Sequence, residues 1–168
     1  MTGSTIRKLV IGSAALLISL PVLFFLTLAY VIRPVAYQGS SMLPAINDGD
    51  KMFIQLSFWK PERGDIVAFH YPLDPSKIYI KRIVGMPGEV VEIRNGQVRI
   101  NGNTLEESYV DPRLNSYVSD TGPIQIAERH YYILGDNRDN SSDSRAWGSV
   151  AEDLIYGKYI WRYTKAGQ

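Results

Sequence analysis

Apolar and polar positions divide the chain into two unequal parts. Residues 9–32 form an uninterrupted run of 24 residues without a charge, LVIGSAALLISLPVLFFLTLAYVI. As a helix this run is about 36 Å long, enough for one tilted crossing of a hydrocarbon core about 30 Å thick. Arg7 and Lys8 precede it and Arg33-Pro34 follow it. Tyr30 stands where an interfacial aromatic belongs, and a mid-span kink at Pro21 is tolerated in lipid. A cleaved signal peptide is the competing reading. It needs an apolar stretch of about 7–15 residues followed by a small-x-small site. Here the run is longer, and no Ala-x-Ala follows. The pattern therefore predicts a retained single-pass anchor at 9–32. Arg7 and Lys8 favour a cytoplasmic N-terminus for residues 1–8, although Arg33 opposes that bias.

From residue 33 onward the pattern changes to short runs rich in Val, Ile, Tyr and Phe. Seven of them read as strands: 51–58, 65–71, 78–84, 89–93, 97–100, 130–134 and 155–163. Asn95-Gly96 joins two of these with the dipeptide that favours a type I′ hairpin. Pro87-Gly88, Asn101-Gly102 and Gly122-Pro123 mark further turns. Residues 103–128 are the least regular and read as a surface excursion. No helical period longer than two turns, repeat or low-complexity tract occurs outside the anchor. The predicted fold is mainly β: a compact antiparallel sheet or barrel-like domain at 33–168, behind one N-terminal transmembrane helix.

Composition narrows the chemistry. Of 168 residues, 18 are Lys or Arg and 17 are Asp or Glu, a net charge of +1. Such a balance argues against nucleic acid as a partner, because phosphate binding needs a clustered basic excess. No cysteine is present, which excludes a disulfide framework, thiolate metal sites and a cysteine nucleophile. Only His70 and His130 are available to a histidine-built metal site, so neither a metal nor another cofactor is expected. Both histidines sit in strand-like runs, which weakens a Ser-His-Asp triad without excluding it. Neither a G-x-S-x-G nor a phosphate-binding glycine motif occurs.

Three segments could carry chemistry. Gly39-Ser40-Ser41-Met42-Leu43-Pro44 lies close to the end of the apolar run. On composition alone its plain reading is a juxtamembrane turn with two solvated serines. In the run 78–84, strand alternation puts Lys81 on one face with Tyr79 and Ile83. Arg82 falls on the other face with Ile78, Ile80 and Val84. At least one of these cations should meet a desolvated surface. A buried lysine loses its proton and can act as a base, whereas arginine needs a carboxylate partner. Two cations snorkelling at a strand edge would give the same pattern. The third segment, 135–145, packs three Asp, two Asn, two Arg and three Ser into eleven residues. A hydrophilic surface loop is its plain reading. A calcium loop fails, with Ser144 at its sixth position and Val150 at its twelfth. Asn140-Ser141-Ser142 also fits a glycosylation acceptor, a weak pattern.

Taken together and in order, the three segments resemble the boxes of the type I signal peptidases, the bacterial leader peptidases. The match comprises Ser41-Met42-x-Pro44, then Tyr79-Ile80-Lys81-Arg82-Ile83-Val84-Gly85-Met86-Pro87-Gly88-Glu89, then Gly135 to Arg145 with Gly148. The resemblance implies a serine endopeptidase with Ser41 as nucleophile and Lys81 as general base. It implies that Ser141 hydrogen-bonds and orients Lys81, that Asp143 and Arg145 form a supporting ion pair, and that Arg82 pairs with Asp136. The Ser41 N–H is the implied oxyanion donor. Some members of that family carry a second donor hydroxyl two residues before the nucleophile, where this chain has Gly39. Tyr37, Gln38, Gly39, Met42, Tyr79 and Ile80 are the implied substrate contacts.

The implied partners are a lipid bilayer and preproteins whose signal peptides have small residues at −1 and −3. The implied location is the inner (cytoplasmic) membrane, with the catalytic domain outside the cytoplasm. Phe58 and Trp59 would either rest on the bilayer or pack inward. A narrow-client Ser–Lys maturation peptidase of a conjugation or pilus system is one alternative. A self-cleaving Ser–Lys repressor would need a DNA-binding helical domain, which the pattern lacks. A non-catalytic membrane-tethered domain that binds extended peptides would need neither Ser41 nor Lys81.

Overall fold

The computed structural model describes residues 3–116 and 120–165. Helix α1 spans Gly3–Val31 and leads without a linker into strand β1, Ile32–Ala36. Ile32, assigned to the apolar run by sequence, is therefore the first strand residue. Side chains of Lys8 and of several apolar residues in α1 lie outside the described set. Among the described residues no helix is long and apolar enough to cross a membrane.

Ten more strands follow: β2 Lys51–Gln55, β3 Ile66–Tyr71, β4 Asp74–Gly85, β5 Val90–Arg94, β6 Gln97–Ile100, β7 Asn103–Thr104, β8 Thr121–Gln125, β9 His130–Leu134, β10 Val150–Ala151 and β11 Ile155–Thr164. A one-turn helix, α2, spans Ser144–Trp147. The strands build two antiparallel sheets. The larger has the order β1-β2-β11-β3-β4-β9-β10, and the smaller β7-β6-β5-β8. No pairing joins β1 to β10 among the described residues, so the larger sheet is open rather than a closed barrel. Two strands of the smaller sheet, β7 and β8, come from the segment that reads as an irregular excursion, of which residues 117–119 lie outside the described set. Asn95 and Gly96 both have positive φ, 52° and 72°, as a type I′ turn requires.

Alternation within the strands explains the packing. In β3, Ile66 and Ala68 join a cluster with Tyr37, Met42, Ile46, Met52, Ile54 and Ile80. Val67 and Phe69 face the opposite way, into a cluster with Ile83, Tyr131, Ile133 and Val150. A third cluster, Val84, Val91, Ile93, Val98, Ile100, Ile126, Tyr132 and Leu134, joins the smaller sheet to the larger. Trp59 packs against the second cluster, whereas Phe58 is 89 % exposed. Trp59 thus packs inward, and Phe58 is left at the surface.

Gly157 in β11 lies against the neighbouring strand. A Cβ there would fall 2.6 Å from both the Gln55 carbonyl oxygen and Ile54 Cγ2. Backbone cannot yield as a side chain does, so Gly157→Ala should lower stability by about 1–3 kcal/mol in a denaturant titration. Gly122→Ala, which meets nothing within 4 Å, should leave the midpoint unchanged.

Candidate active site

Ser41 sits in the turn between β1 and β2. Gly39 adopts φ +115°, a region that disfavours side chains, and donates its N–H to Asp48 Oδ1 at 2.7 Å. The loop after β9 holds the turn from the other side. Asn137 N–H donates to the Ser41 carbonyl at 3.0 Å, and Asn137 Nδ2 donates to the Ser40 carbonyl at 3.1 Å. Asn140 Nδ2 reaches Ser40 Oγ at 2.8 Å. These asparagines are part of the third sequence segment, but nothing in their spacing reveals that they clamp the serine turn.

Lys81 comes from the middle of β4, opposite Val67 of β3. Its side chain is buried, with Nζ 2.7 Å from Ser41 Oγ and 3.1 Å from the Ile80 carbonyl. Burial is the main influence on the amine and lowers its pKa from 10.5 to about 8; the charges of Asp143 and Asp136 oppose that shift. Neither carboxylate bonds the amine, because each is engaged by an arginine. Arg82 Nε and Nη2 grip Asp136 at 2.8 and 2.5 Å. Arg145 Nε and Nη2 grip Asp143 at 2.8 and 2.9 Å. Asp143 also accepts from the N–H groups of Gly135 and Arg145 at the start of α2.

Two further groups complete this network. Arg138 donates to the Gly135 carbonyl and pairs with Glu107 at 2.5 Å, and the Arg82 guanidinium lies 4.0 Å from the centre of the Tyr109 ring. Glu107 and Tyr109 belong to the excursion, and nothing in the sequence pairs them with residues so distant along the chain.

Two implied contacts differ in the structure. Ser141 Oγ does not bond Lys81; it is buried and has no hydrogen-bond partner among the described residues. It stacks over Gly135, where a Cβ would lie only 2.3 Å from it, so the loop turns the hydroxyl toward its own backbone. Met42 is fully buried among Ile46, Met52 and Ile54, and serves the core rather than the cleft.

The cleft itself has a volume of about 800 Å³ and runs between the segment after β1 and the first half of β4. Tyr37, Gln38, Gly39, Tyr79 and Ile80 line it, with Ser41 and Lys81 at one side. In this half of β4 only β3 is paired, because β9 joins from Arg82 onward. The backbone edge of residues 78–81 therefore faces the cleft. An amine held near pKa 8 against a serine hydroxyl is a Ser–Lys arrangement suited to proton transfer and nucleophilic attack.

Residues 9–164 match the family model described as signal peptidase, peptidase S26. The chain belongs to this family. It is 32% identical over 160 residues to signal peptidase IB of Staphylococcus aureus, covering 84% of this chain and 83% of that protein. It is 37% identical over 140 residues to signal peptidase I of Bacillus amyloliquefaciens, covering 76% and 72% respectively. The crystal structure of a signal peptidase I from Enterococcus faecalis V583 superposes with a TM-score of 0.53 at 36% identity, covering 61% of this chain and 98% of that one. The chain is thus a serine endopeptidase.

Burying Lys81 works against stability in this peptidase. The unfolded chain keeps the amine at its ordinary 10.5, whereas the folded chain holds it near 8. Below pH 8 both states are protonated and the full penalty applies. Between pH 8 and 10.5 the folded state releases its proton first, and the penalty fades. Lys81→Met should therefore be more stable than wild type by about 1–3 kcal/mol at pH 7, after the lost hydrogen bonds are offset. Thermal melting across pH should show this advantage shrinking above pH 8.

Proposed function

We propose that the chain is a membrane-anchored signal peptidase that cuts preproteins by a Ser41–Lys81 dyad. The observation that carries this reading is the 2.7 Å approach of the depressed Lys81 amine to Ser41 Oγ. Neutral Lys81 takes the Ser41 proton as Oγ attacks the carbonyl carbon at the end of the signal peptide. The oxyanion faces the Ser41 N–H, which the backbone bonds closing this turn do not use. Collapse breaks the C–N bond, and the Lys81 ammonium returns the proton to the departing amine. Lys81 then activates water to release the acyl group.

The signal-peptide end is read as an extended strand. It lies along the open edge of residues 78–81, with Tyr37, Gln38 and Gly39 on the opposite wall. Small residues at −1 and −3 suit a cleft in which both walls approach the dyad. Arg82–Asp136 and Arg145–Asp143 act as supports that keep two acids from neutralising the base.

The anchor rests on the sequence of α1. The described side chains omit part of that helix, and the complete run at 9–32 has no charge. Leu17, Ile18, Phe24 and Phe25 are each more than 60 % exposed, an apolar surface that water does not favour. Because α1 passes directly into β1, the cleft is held close to the bilayer, outside the cytoplasm.

Cleavage of a detergent-solubilised preprotein tests the dyad. Ser41→Ala and Lys81→Ala should each lose at least about a thousand-fold in rate with folding intact by circular dichroism. A folded Ser41→Ala that cuts at the wild-type rate would leave a peptide-binding domain without catalysis. A panel of unrelated preproteins separates a general enzyme from a narrow-client maturase. In wild type, kcat/KM should rise with pH through about 8, as the free enzyme's Lys81 loses its proton. A rise centred near pH 6 would instead implicate a histidine.

A further inference from the structure

The dyad reading leaves the developing oxyanion with one identified donor, the Ser41 N–H, and position 39 has no side chain to add another. Tyr37 stands at this point. Its ring is packed in the cluster with Met42, Ile46 and Ile80, and the residue is only 6 % exposed. Its hydroxyl nevertheless reaches the cleft and lies 2.9 Å from Ser41 Oγ. The backbone amides of Ser41 and Met42 also act on the phenol oxygen. That oxygen is therefore within hydrogen-bonding reach of the nucleophile. A carbonyl oxygen attacked by Ser41 must come to the same neighbourhood.

The backbone holds the phenol in place. Tyr37 N–H donates to the Asp50 carbonyl at 2.8 Å, and the Tyr37 carbonyl accepts from Gly49 at 2.9 Å. Gly39 leaves the space beside it open: a Cβ there would approach no closer than 4.0 Å to the Tyr37 oxygen. Burial raises the pKa of the phenol above 10, so it keeps its proton and remains a donor wherever Lys81 is neutral near pH 8.

We propose that the Tyr37 hydroxyl is the second oxyanion donor of this peptidase. In the free enzyme it rests on Ser41 Oγ. As Oγ bonds to the carbonyl carbon, the phenol O–H shifts its hydrogen bond to the carbonyl oxygen, which is gaining negative charge. The phenol proton stays on the phenol throughout, and the Ser41 proton goes to Lys81. Two groups thus divide the work around one oxygen: Lys81 removes its proton, and Tyr37 stabilises the charge that its attack creates. The proposal rests on the Ser41–Lys81 reading.

Tyr37→Phe removes the hydroxyl and keeps the ring that fills the core. In the full chain, solubilised in detergent and assayed on a preprotein, kcat should fall about 10²–10³-fold while KM stays within about two-fold. The melting temperature should stay close to that of wild type. A purely structural role for Tyr37 would lower melting without this selective loss in kcat. A second measurement uses only folded enzyme. A peptide aldehyde that adds to Ser41 should bind Tyr37→Phe more weakly by a similar factor, while the unreactive peptide amide of the same sequence binds both forms equally. A kcat within two-fold of wild type, or above it, would overturn the proposal and make the hydroxyl only an occupant of the empty cleft. A rise in KM with kcat unchanged would also overturn it, making Tyr37 a substrate contact. Ser41→Ala belongs in the same series. If that variant cuts, the dyad reading itself fails; if it is inactive while Tyr37→Phe is fully active, only the role of Tyr37 falls.

Discussion

Lys81 brings an amine into the protein interior, bonded to Ser41 Oγ and the Ile80 carbonyl and, among the described residues, to no carboxylate. Most of the surrounding structure can be understood from that one constraint. A lysine in water is protonated at neutral pH and useless as a base. Desolvation lowers its pKa, and a bonded acid would raise it again. The site therefore needs burial without a counter-ion, an arrangement that works against stability and is kept for its chemistry.

The nearby acids are present but otherwise engaged. Asp136 is held by Arg82, Asp143 by Arg145, and Glu107 by Arg138. Each pair is itself buried or nearly so, and a planar guanidinium suits a carboxylate in such places because it binds through two N–H groups at once. The same pairs tie together parts of the chain that are far apart in sequence. Arg82 follows Lys81 directly, so the strand that aims the amine into the cleft aims its neighbour at the loop on the other side. That loop clamps the serine turn through Asn137 and Asn140. Base, nucleophile and loop are thus positioned by one connected network.

Much of this was legible in the sequence. All seven strands that the pattern predicts are present, because each has the β-branched and aromatic residues of a packed interior strand. The four strands it does not predict, β1, β7, β8 and β10, are the edge strands of the two sheets. Edge strands tolerate Pro34 in β1 and Gly122-Pro123 in β8, and two of the four are only two residues long. Alternation at Lys81 and Arg82 indicated opposite directions for the two cations, and Arg82 meets Asp136 as the resemblance implied. Side-chain orientation was harder to read. A motif fixes residue types but not which way a hydroxyl turns, so Ser141 turns over Gly135 rather than toward Lys81, and Met42 enters the core. The partner of Arg138 lies 31 residues away, and a local pattern cannot pair residues across such a gap.

The central claim is that Lys81 is a buried amine ready to lose its proton near neutral pH. It is tested most directly by an NMR titration of isotopically labelled lysine in the folded, detergent-solubilised chain, with the Lys81 signal assigned by its absence in Lys81→Met. The account predicts that the Lys81 amine titrates near pH 8. If the Lys81 signal instead titrates at the ordinary lysine value of 10.5, the amine is solvated or paired and the account of the site is wrong.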